Sequence, residues 1–140
     1  MSQYLLLKQG TIHNAVDEEA FVADILIEDG KIKKIAPVLE GKVINEAAVI
    51  DAMGIDVYPG FVDAHCHLGL DGYAVGFAGQ DFNELGDPVT PQLSAIDAIN
   101  PQDETFRMAR EGGVTCVSTG PGSSNVIGGT FCNIKTYGNR

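Results

Sequence analysis

Cysteine is scarce in this 140-residue chain, and so are the residue patterns of zinc-binding, disulfide-bonded and secreted proteins. Its three cysteines, Cys66, Cys116 and Cys132, include no CxxC pair of the kind that holds zinc or forms a redox motif. An odd number of cysteines without a signal peptide predicts reduced thiols and a cytoplasmic location. The N-terminal run MSQYLLLKQG has no basic lead and only a short apolar stretch, so we do not expect it to be a secretory signal.

Basic residues and long apolar runs are scarce as well. Lys and Arg number 9 against 19 Asp and Glu, so the formal net charge is −10 at pH 7. Binding to nucleic acid or to an anionic membrane needs clustered Lys and Arg, so neither partner is expected. No apolar run approaches the roughly 20 residues that span a membrane. The 44% of hydrophobic residues nevertheless suits one globular domain or two small ones.

Residues 1–57 are predicted to form a small β-sandwich-like domain, as the N-terminal half of a composite domain. The run YLLLKQGTIH predicts a strand, a turn and the start of another strand. Asp29-Gly30 separates two β-rich runs and predicts a two-residue hairpin, because both turn positions need positive φ. A further short strand is expected at residues 49–51. Several short strands rich in Val, Ile and Leu favour a small sandwich or roll.

Residues 58–140 change in character and predict alternating strands and helices. FVDAHCHL is predicted to be a strand, followed by a long glycine-rich loop over residues 69–100. NPQDETFRMAREGG predicts a helix with Asn100 as its N-cap, Pro101 in its first turn and Gly112 at its end. VTCVST is then a second buried strand. This order is typical of the beginning of a parallel βα series.

Two of the chain's three histidines, His65 and His67, lie one residue apart in the first of these strands. Because side chains alternate between the faces of a strand, Asp63, His65 and His67 are predicted to share one face. Cys66 lies on the opposite, apolar face and is not expected to be a third ligand. Two imidazoles at i and i+2 on one strand can reach the same metal ion, and neutral imidazole suits zinc, iron, nickel or cobalt.

The His-x-His pattern alone leaves two interpretations open. The pair is either a metal site or two buried histidines with ordinary hydrogen-bond partners. Its place at the carboxyl end of the first strand of a βα series favours the metal, because α/β barrels carry their chemistry there. His13 lies in the first domain, and no catalytic role is assigned to it.

The stretch DAMGIDVYPGFVDAHCHLG resembles the signature of the amidohydrolase superfamily. The residues that fit it are Asp51, Ala52, Gly54, Pro59, Gly60, Phe61, Val62, Asp63, His65 and His67. GKIKKIA in the preceding hairpin also resembles this family. DAINPQDETFRMAREGGVTCVSTGPGSSNVIGG further resembles its imidazolonepropionase-related branch.

This resemblance implies a metal-dependent hydrolase of C–N bonds in amides, lactams or cyclic amidines. His65 and His67 would bind a divalent metal, with zinc the first expectation and iron, nickel, cobalt or manganese the alternatives. The metal would acidify water and polarise the scissile carbonyl. Asp63 would support the strand or a ligand histidine by hydrogen bonding.

The fold that the resemblance implies is α/β with an all-β N-terminal part. Residues 58–140 would supply the first two or three units of a (β/α)₈ barrel, which takes about 250 residues. The remaining ligands and the general base would lie beyond Arg140, so no catalytic residue is assigned within the chain. We therefore expect an N-terminal fragment of a longer enzyme, inactive alone.

Two loops are expected to border the small-molecule substrate of the complete enzyme. They are the long segment GLDGYAVGFAGQDFNELGDPVTPQ and the later segment STGPGSSNVIGG. The later segment is rich in Gly and Ser, but it lacks the Gly-Lys-Ser/Thr ending of a phosphate-binding loop. A partial barrel also leaves open sheet edges, which predicts self-association or a homo-oligomer. The alternatives to a latent hydrolase are a non-catalytic metal-binding or assembly module, and a histidine pair without metal.

Overall fold

The computed structural model describes residues 3–73 and 75–138. They divide into two compact units, Met1–Pro59 and Gly60–Arg140, two residues beyond the boundary placed from the sequence. The first unit contains β1 (Tyr4–Ile12), β2 (Phe21–Glu28), β3 (Lys31–Ala36), α1 (Lys42–Asn45), β4 (Ala48–Asp51) and β5 (Asp56–Val57). The second contains β6 (Phe61–Cys66), a 3₁₀ turn (Gly76–Gly79), α2 (Ala95–Ala98), α3 (Thr105–Glu111), β7 (Val114–Thr119) and β8 (Cys132–Lys135). None of the helices in these described ranges is long and apolar enough to cross a membrane.

The first unit is built on one sheet and not on the two sheets of a sandwich. Its strand order is β3-β2-β1-β4, and β5 also pairs with β1. β4 and β5 run parallel to β1 along successive stretches of the same edge, so they extend one layer instead of starting a second. The described residues of this unit therefore form a single sheet, and the sandwich, of which this unit was predicted to supply only the N-terminal half, stays a prediction.

One of the two turns predicted for this sheet forms, and the other does not. Asp29 and Gly30 both have positive φ, 49° and 76°, and join β2 to β3 in the predicted two-residue hairpin. The turn predicted after YLLLKQ does not form. β1 instead continues through a bulge between Leu7 and Gly10, in which Gln9 takes a left-handed φ of 57°.

The buried carboxylate of Asp24 stabilises this bulge through hydrogen bonds. Asp24 is 0% exposed, and its Oδ1 accepts hydrogen bonds from the backbone N–H and the side-chain amide of Gln9, at 2.9 and 3.0 Å. Its Oδ2 accepts from the backbone N–H of Leu39 at 2.9 Å. Leu39 packs with Leu6 and Leu26 in a buried cluster, so the carboxylate ties the bulge to the core. Burial raises the pKa of Asp24, but the hydrogen bonds from Leu39 and Gln9 together hold that pKa below its ordinary value.

The second unit carries one complete strand-helix-strand crossover. β6 and β7 pair in parallel with α3 between them along the chain, as the βα prediction requires. β8 pairs with β7 in the antiparallel direction, so the described residues contain no further parallel strand after β7, and the number of barrel units stays a prediction. The connection between β7 and β8, residues 120–131, contains no helix, and parallel pairing needs such a crossover.

The helix before β7 begins later than predicted. Its N-cap is Glu104 and not Asn100, because Asn100 Oδ1 accepts the backbone N–H of Gln102 in a turn of its own. Asp103 Oδ1 then accepts the N–H of Thr105 at 2.9 Å, which delays the first helical turn. The end at Gly112 is as predicted.

The first strand of the second sheet leaves apolar side chains in solvent. Phe61 is 54% exposed and Val62 is 70% exposed. Within the described part of the chain, β6 pairs with β7 alone. An edge strand with exposed apolar residues favours pairing between molecules.

We expect the isolated chain to self-associate through β6, and Val62→Lys to shift it toward monomer. A charge on an edge strand opposes strand pairing. Val16→Lys is the matched control, because Val16 is 86% exposed in the other unit and lies outside any strand. Light scattering at several concentrations measures the effect. A wild-type chain that stays monomeric throughout would contradict this prediction.

Candidate metal centre

The two imidazoles of the HCH motif are neighbours at the carboxyl end of β6. His65 lies within the strand and His67 directly follows it, after Cys66. Their ring centroids are 5.5 Å apart and their planes meet at 78°. The structure thus brings the two predicted ligands together.

The strict alternation assumed from the sequence is broken in this part of the strand. Asp63 pairs with Val117 but Cys66 pairs with Thr119, so three steps on β6 oppose two steps on β7. The Asp63 carboxylate accepts the backbone N–H of His65 at 3.1 Å, within this irregular stretch. Asp63 thus bonds to the main chain of the first histidine.

A backbone carbonyl sets the tautomer of His67. Its Nδ1 lies 2.6 Å from the carbonyl oxygen of Gly120. Because a carbonyl only accepts, Nδ1 carries the proton, and in the neutral ring the lone pair is therefore on Nε2. Histidines that bind metals are commonly oriented in this way, by a hydrogen bond from the second ring nitrogen. The donor chemistry at this position therefore fits a metal ligand.

Aromatic rings from two different loops hold the imidazoles. Phe82 stacks on His67 with centroids 5.0 Å apart and planes at 12°. Phe131 lies against His65 with centroids 5.1 Å apart. Phe82 and Gly120 lie in the two loops predicted to border the substrate, whereas Phe131 lies outside them. Their contacts with the histidines were not predicted, because folding brings each residue to the motif over a long sequence separation.

Hydrogen bonds between β6 and β7 fix the end of the strand that carries the pair. The N–H of Gly120 donates to the carbonyl of Cys66 at 3.2 Å. The hydroxyl of Thr119, which is 0% exposed, donates to the carbonyl of Leu68 at 2.9 Å. The main chain on both sides of His67 is therefore anchored to the neighbouring strand.

The nearby thiols are not organised as ligands. The Cys66 thiol donates to the carbonyl of Ser118 at 3.6 Å. Burial, and to a lesser degree the proximity of Cys66, raises the pKa of the Cys132 thiol, which disfavours the thiolate that metals bind. All three cysteines are free.

The described residues contain no group of three or more His, Cys, Asp or Glu side chains that could hold a metal ion. His65 and His67 are thus a pair, whereas catalytic zinc usually has three protein ligands. His13 belongs to the first unit and not to this pair. Its Nε2 lies 2.8 Å from Oδ1 of Asp56, and its ring stacks on that of Tyr58 with centroids 4.2 Å apart. The arrangement fits part of a metal site.

Comparisons with known proteins point to one class of hydrolase. An amidohydrolase of Hapsidospora irregularis, tasK, is 35% identical over 116 residues, 82% of this chain and 12% of the relative. A dihydroorotase of Caldicellulosiruptor saccharolyticus is 42% identical over 69 residues, 49% of this chain and 16% of that protein. A D-hydantoinase of Geobacillus stearothermophilus is 46% identical over 67 residues, 46% of this chain and 13% of that protein. No protein-family model matches the chain.

A solved structure agrees with these sequences. The crystal structure of an amidohydrolase from Thermotoga maritima matches with a TM-score of 0.85 and 40% identity, over 96% of this chain and 34% of that one. The relatives are amidohydrolases, and they support the superfamily indicated by the sequence signature. The chain spans only 12% to 16% of the three curated relatives named above, and about a third of the solved structure.

Proposed function

We propose that this chain supplies the first two metal ligands of an amidohydrolase that hydrolyses a C–N bond in a small molecule. The observation that carries the proposal is the adjacent pair of imidazoles at the end of β6, with the Nδ1 proton of His67 donated to Gly120. This hydrogen bond leaves Nε2 as the donor atom for a cation. The amidohydrolase relatives supply independent support.

His65 and His67 would hold the divalent cation, for which imidazole ligands favour zinc over the hard cations. Iron, nickel, cobalt and manganese are the alternatives. When bound, the cation supplies Lewis acidity, which polarises a carbonyl and acidifies water. The other residues of the chain orient the two histidines. Gly120 and Phe82 fix the ring of His67, and Asp63 fixes the backbone of His65.

The proposed substrate is an amide, lactam or cyclic amidine. The names dihydroorotase and D-hydantoinase denote hydrolases of cyclic amides, which favours a lactam-type ring among these. The imidazolonepropionase-related branch stays a prediction from the sequence. In this proposal the remaining ligands and the general base come from residues outside 1–140, so the chain alone is inactive.

The experiment compares this chain with the protein encoded by its complete reading frame. With zinc added, residues 1–140 should not open cyclic amides such as hydantoin above background, because residues that act as a catalytic unit are strongly non-additive. Turnover by residues 1–140 that is lost in His65→Ala would contradict the proposed inactivity.

In the complete protein, His65→Ala and His67→Ala should each lower kcat/KM more than about 100-fold, since loss of outer hydrogen-bond partners alone costs 10–100-fold. His13→Ala is the matched control and should leave kcat/KM unchanged, because its ring bonds to Asp56 in the first unit. Zinc binding without hydrolysis of any cyclic amide would favour the alternative, a non-catalytic metal-binding module.

A further inference from the structure

Phe131 immediately precedes β8, and its side chain contacts the histidine pair. Its ring centroid lies 5.1 Å from that of His65, and the planes of the two rings meet at 34°. Phe131 lies outside the stretches of the sequence that resemble the amidohydrolase superfamily. The contact therefore raises the question of what this ring does for the pair.

The two proposed metal ligands are held in different ways. The ring of His67 donates a hydrogen bond to the carbonyl of Gly120 and stacks on Phe82. Within the described part of the chain, the ring nitrogens of His65 have no hydrogen-bond partner, and this residue is exposed. The aromatic contacts of its ring are those with Phe131 and with His67. Phe131 is thus the contact from another segment that limits rotation of the His65 ring.

The ring of Phe131 also packs against Gly120. A Cβ at Gly120 would lie 2.4 Å from two ring carbons of Phe131, so the ring occupies the space that any side chain at this position would need. The N–H of Gly120 donates to the carbonyl of Cys66 at 3.2 Å, and its carbonyl accepts the Nδ1 proton of His67 at 2.6 Å. Phe131 therefore contacts one proposed ligand directly and also contacts the residue that orients the other.

The main chain of Phe131 is held on both sides. The N–H of Thr130 donates to the carbonyl of Leu93 at 2.9 Å. On the other side, Cys132 pairs with Thr119 of β7 in the second sheet. Because both neighbours are bonded to other segments, the position of the ring is set before any ligand binds.

We infer that Phe131 is a positioning residue for both proposed metal ligands, restraining the ring of His65 directly and that of His67 through Gly120. The inference rests on the proposed function, because it concerns how the pair is prepared for a cation. A ligand ring that is already restrained loses less freedom when the cation binds, which raises the affinity. Loss of the Phe131 ring should therefore weaken zinc binding even where the chain stays folded.

The test is a zinc titration of the ¹⁵N-labelled chain, followed through the ring nitrogens of His65 and His67. Phe131→Leu should weaken zinc binding about tenfold, the lower end of the range for groups that orient metal ligands. Phe131→Tyr keeps the ring and should restore the wild-type affinity. Phe77→Leu is the matched control, because Phe77 is 83% exposed in the same unit, and it should bind zinc like wild type.

A second measurement needs no metal. The ring protons of His65 should change their chemical shifts in Phe131→Leu before zinc is added, because a nearby aromatic ring shifts them in wild type. The amide spectrum of the same sample reports whether the variant is folded. If Phe131→Leu does not fold, Phe131→Met gives the same comparison, because its long apolar side chain fills a similar volume without a ring.

Equal zinc affinities of wild type and the folded Phe131→Leu variant would overturn the inference and leave the proposed metal site intact. A Phe131→Tyr variant that binds zinc as weakly as Phe131→Leu would also overturn it. Ring signals of His65 and His67 that do not respond to zinc in wild type would contradict the proposed function and the inference together.

Discussion

Replacing Asp24 with alanine should lower the free energy of unfolding of the first unit by about 3 kcal/mol. The change removes a buried carboxylate that accepts three hydrogen bonds and leaves the N–H groups of Gln9 and Leu39 without their acceptor. Gln9 would then lose the partner that holds its left-handed backbone. Urea unfolding followed by NMR signals of residues 4–57 measures the effect.

The matched control is Glu19→Gln, which removes a negative charge from an exposed position in the same unit. It should change the unfolding free energy by less than about 0.5 kcal/mol. Asp24→Asn should fall between the two, because its amide NH₂ cannot accept the N–H of Leu39. An Asp24→Ala variant as stable as Glu19→Gln would show that the carboxylate does not organise the bulge.

The same carboxylate predicts a pH dependence. Hydrogen bonds from Leu39 and Gln9 outweigh burial and hold the folded-state pKa of Asp24 below its ordinary value of 3.8. The ionised group therefore stabilises the folded state above the unfolded-state pKa, and this contribution is lost as pH falls through the folded-state pKa. Wild type should lose stability in acid more steeply than Asp24→Asn, measured by the same urea titrations. Parallel curves would contradict the assignment.

Replacing Gly120 with alanine should destabilise the second unit by about 2 kcal/mol, through overpacking at the histidine pair. A Cβ at this position would lie 2.4 Å from ring carbons of Phe131, closer than real Cβ contacts. Phe131 packs against His65 and the carbonyl of residue 120 holds His67, so a displaced ring should disturb both imidazoles. The measurements are urea unfolding and the ring resonances of the two histidines.

Gly128→Ala is the matched control in the same loop. A Cβ there has its nearest neighbour, the Cβ of Pro121, at an ordinary 3.7 Å. This variant should retain wild-type stability and unchanged histidine spectra. If Gly120→Ala had the same stability and histidine spectra as Gly128→Ala, Phe131 could not be packed closely against Gly120.

The parts of the fold that follow local chemistry were predictable from the sequence. The Asp29-Gly30 turn needs two residues of positive φ, and Asp-Gly favours that geometry. The strand with the HCH motif, the end of α3 at Gly112 and the parallel pairing of β6 with β7 also follow from local pattern and crossover length. The adjacency of His65 and His67 follows from their spacing on one strand.

The parts that depend on distant contacts were not predictable. The bulge at Gln9 is held by Asp24, 15 residues away, whereas the sequence alone predicted a turn there. β8 reverses direction because its connection lacks a helix, which composition alone did not reveal. Gly120 and Phe82 reach His67 only after the loops close around it, and nothing in their own sequence marks that contact.

The most direct test of the metal proposal is a zinc titration of the ¹⁵N-labelled chain, followed through the ring nitrogens of its three histidines. Before zinc, His67 should show a protonated Nδ1 and a bare Nε2, as its hydrogen bond to Gly120 requires. Zinc should then move the Nε2 signal of His67 and the ring signals of His65 together. Binding should be weak, because two ligands are fewer than catalytic zinc usually has.

His13 is the internal control, since its ring bonds to Asp56 in the first unit. We expect zinc to shift the ring signals of His65 and His67 at the same zinc concentration and to leave those of His13 unchanged. The claim that this pair binds a metal would be contradicted if zinc left the ring signals of His65 and His67 unchanged. It would also be contradicted if those signals shifted only at zinc concentrations that also shift the ring signals of His13.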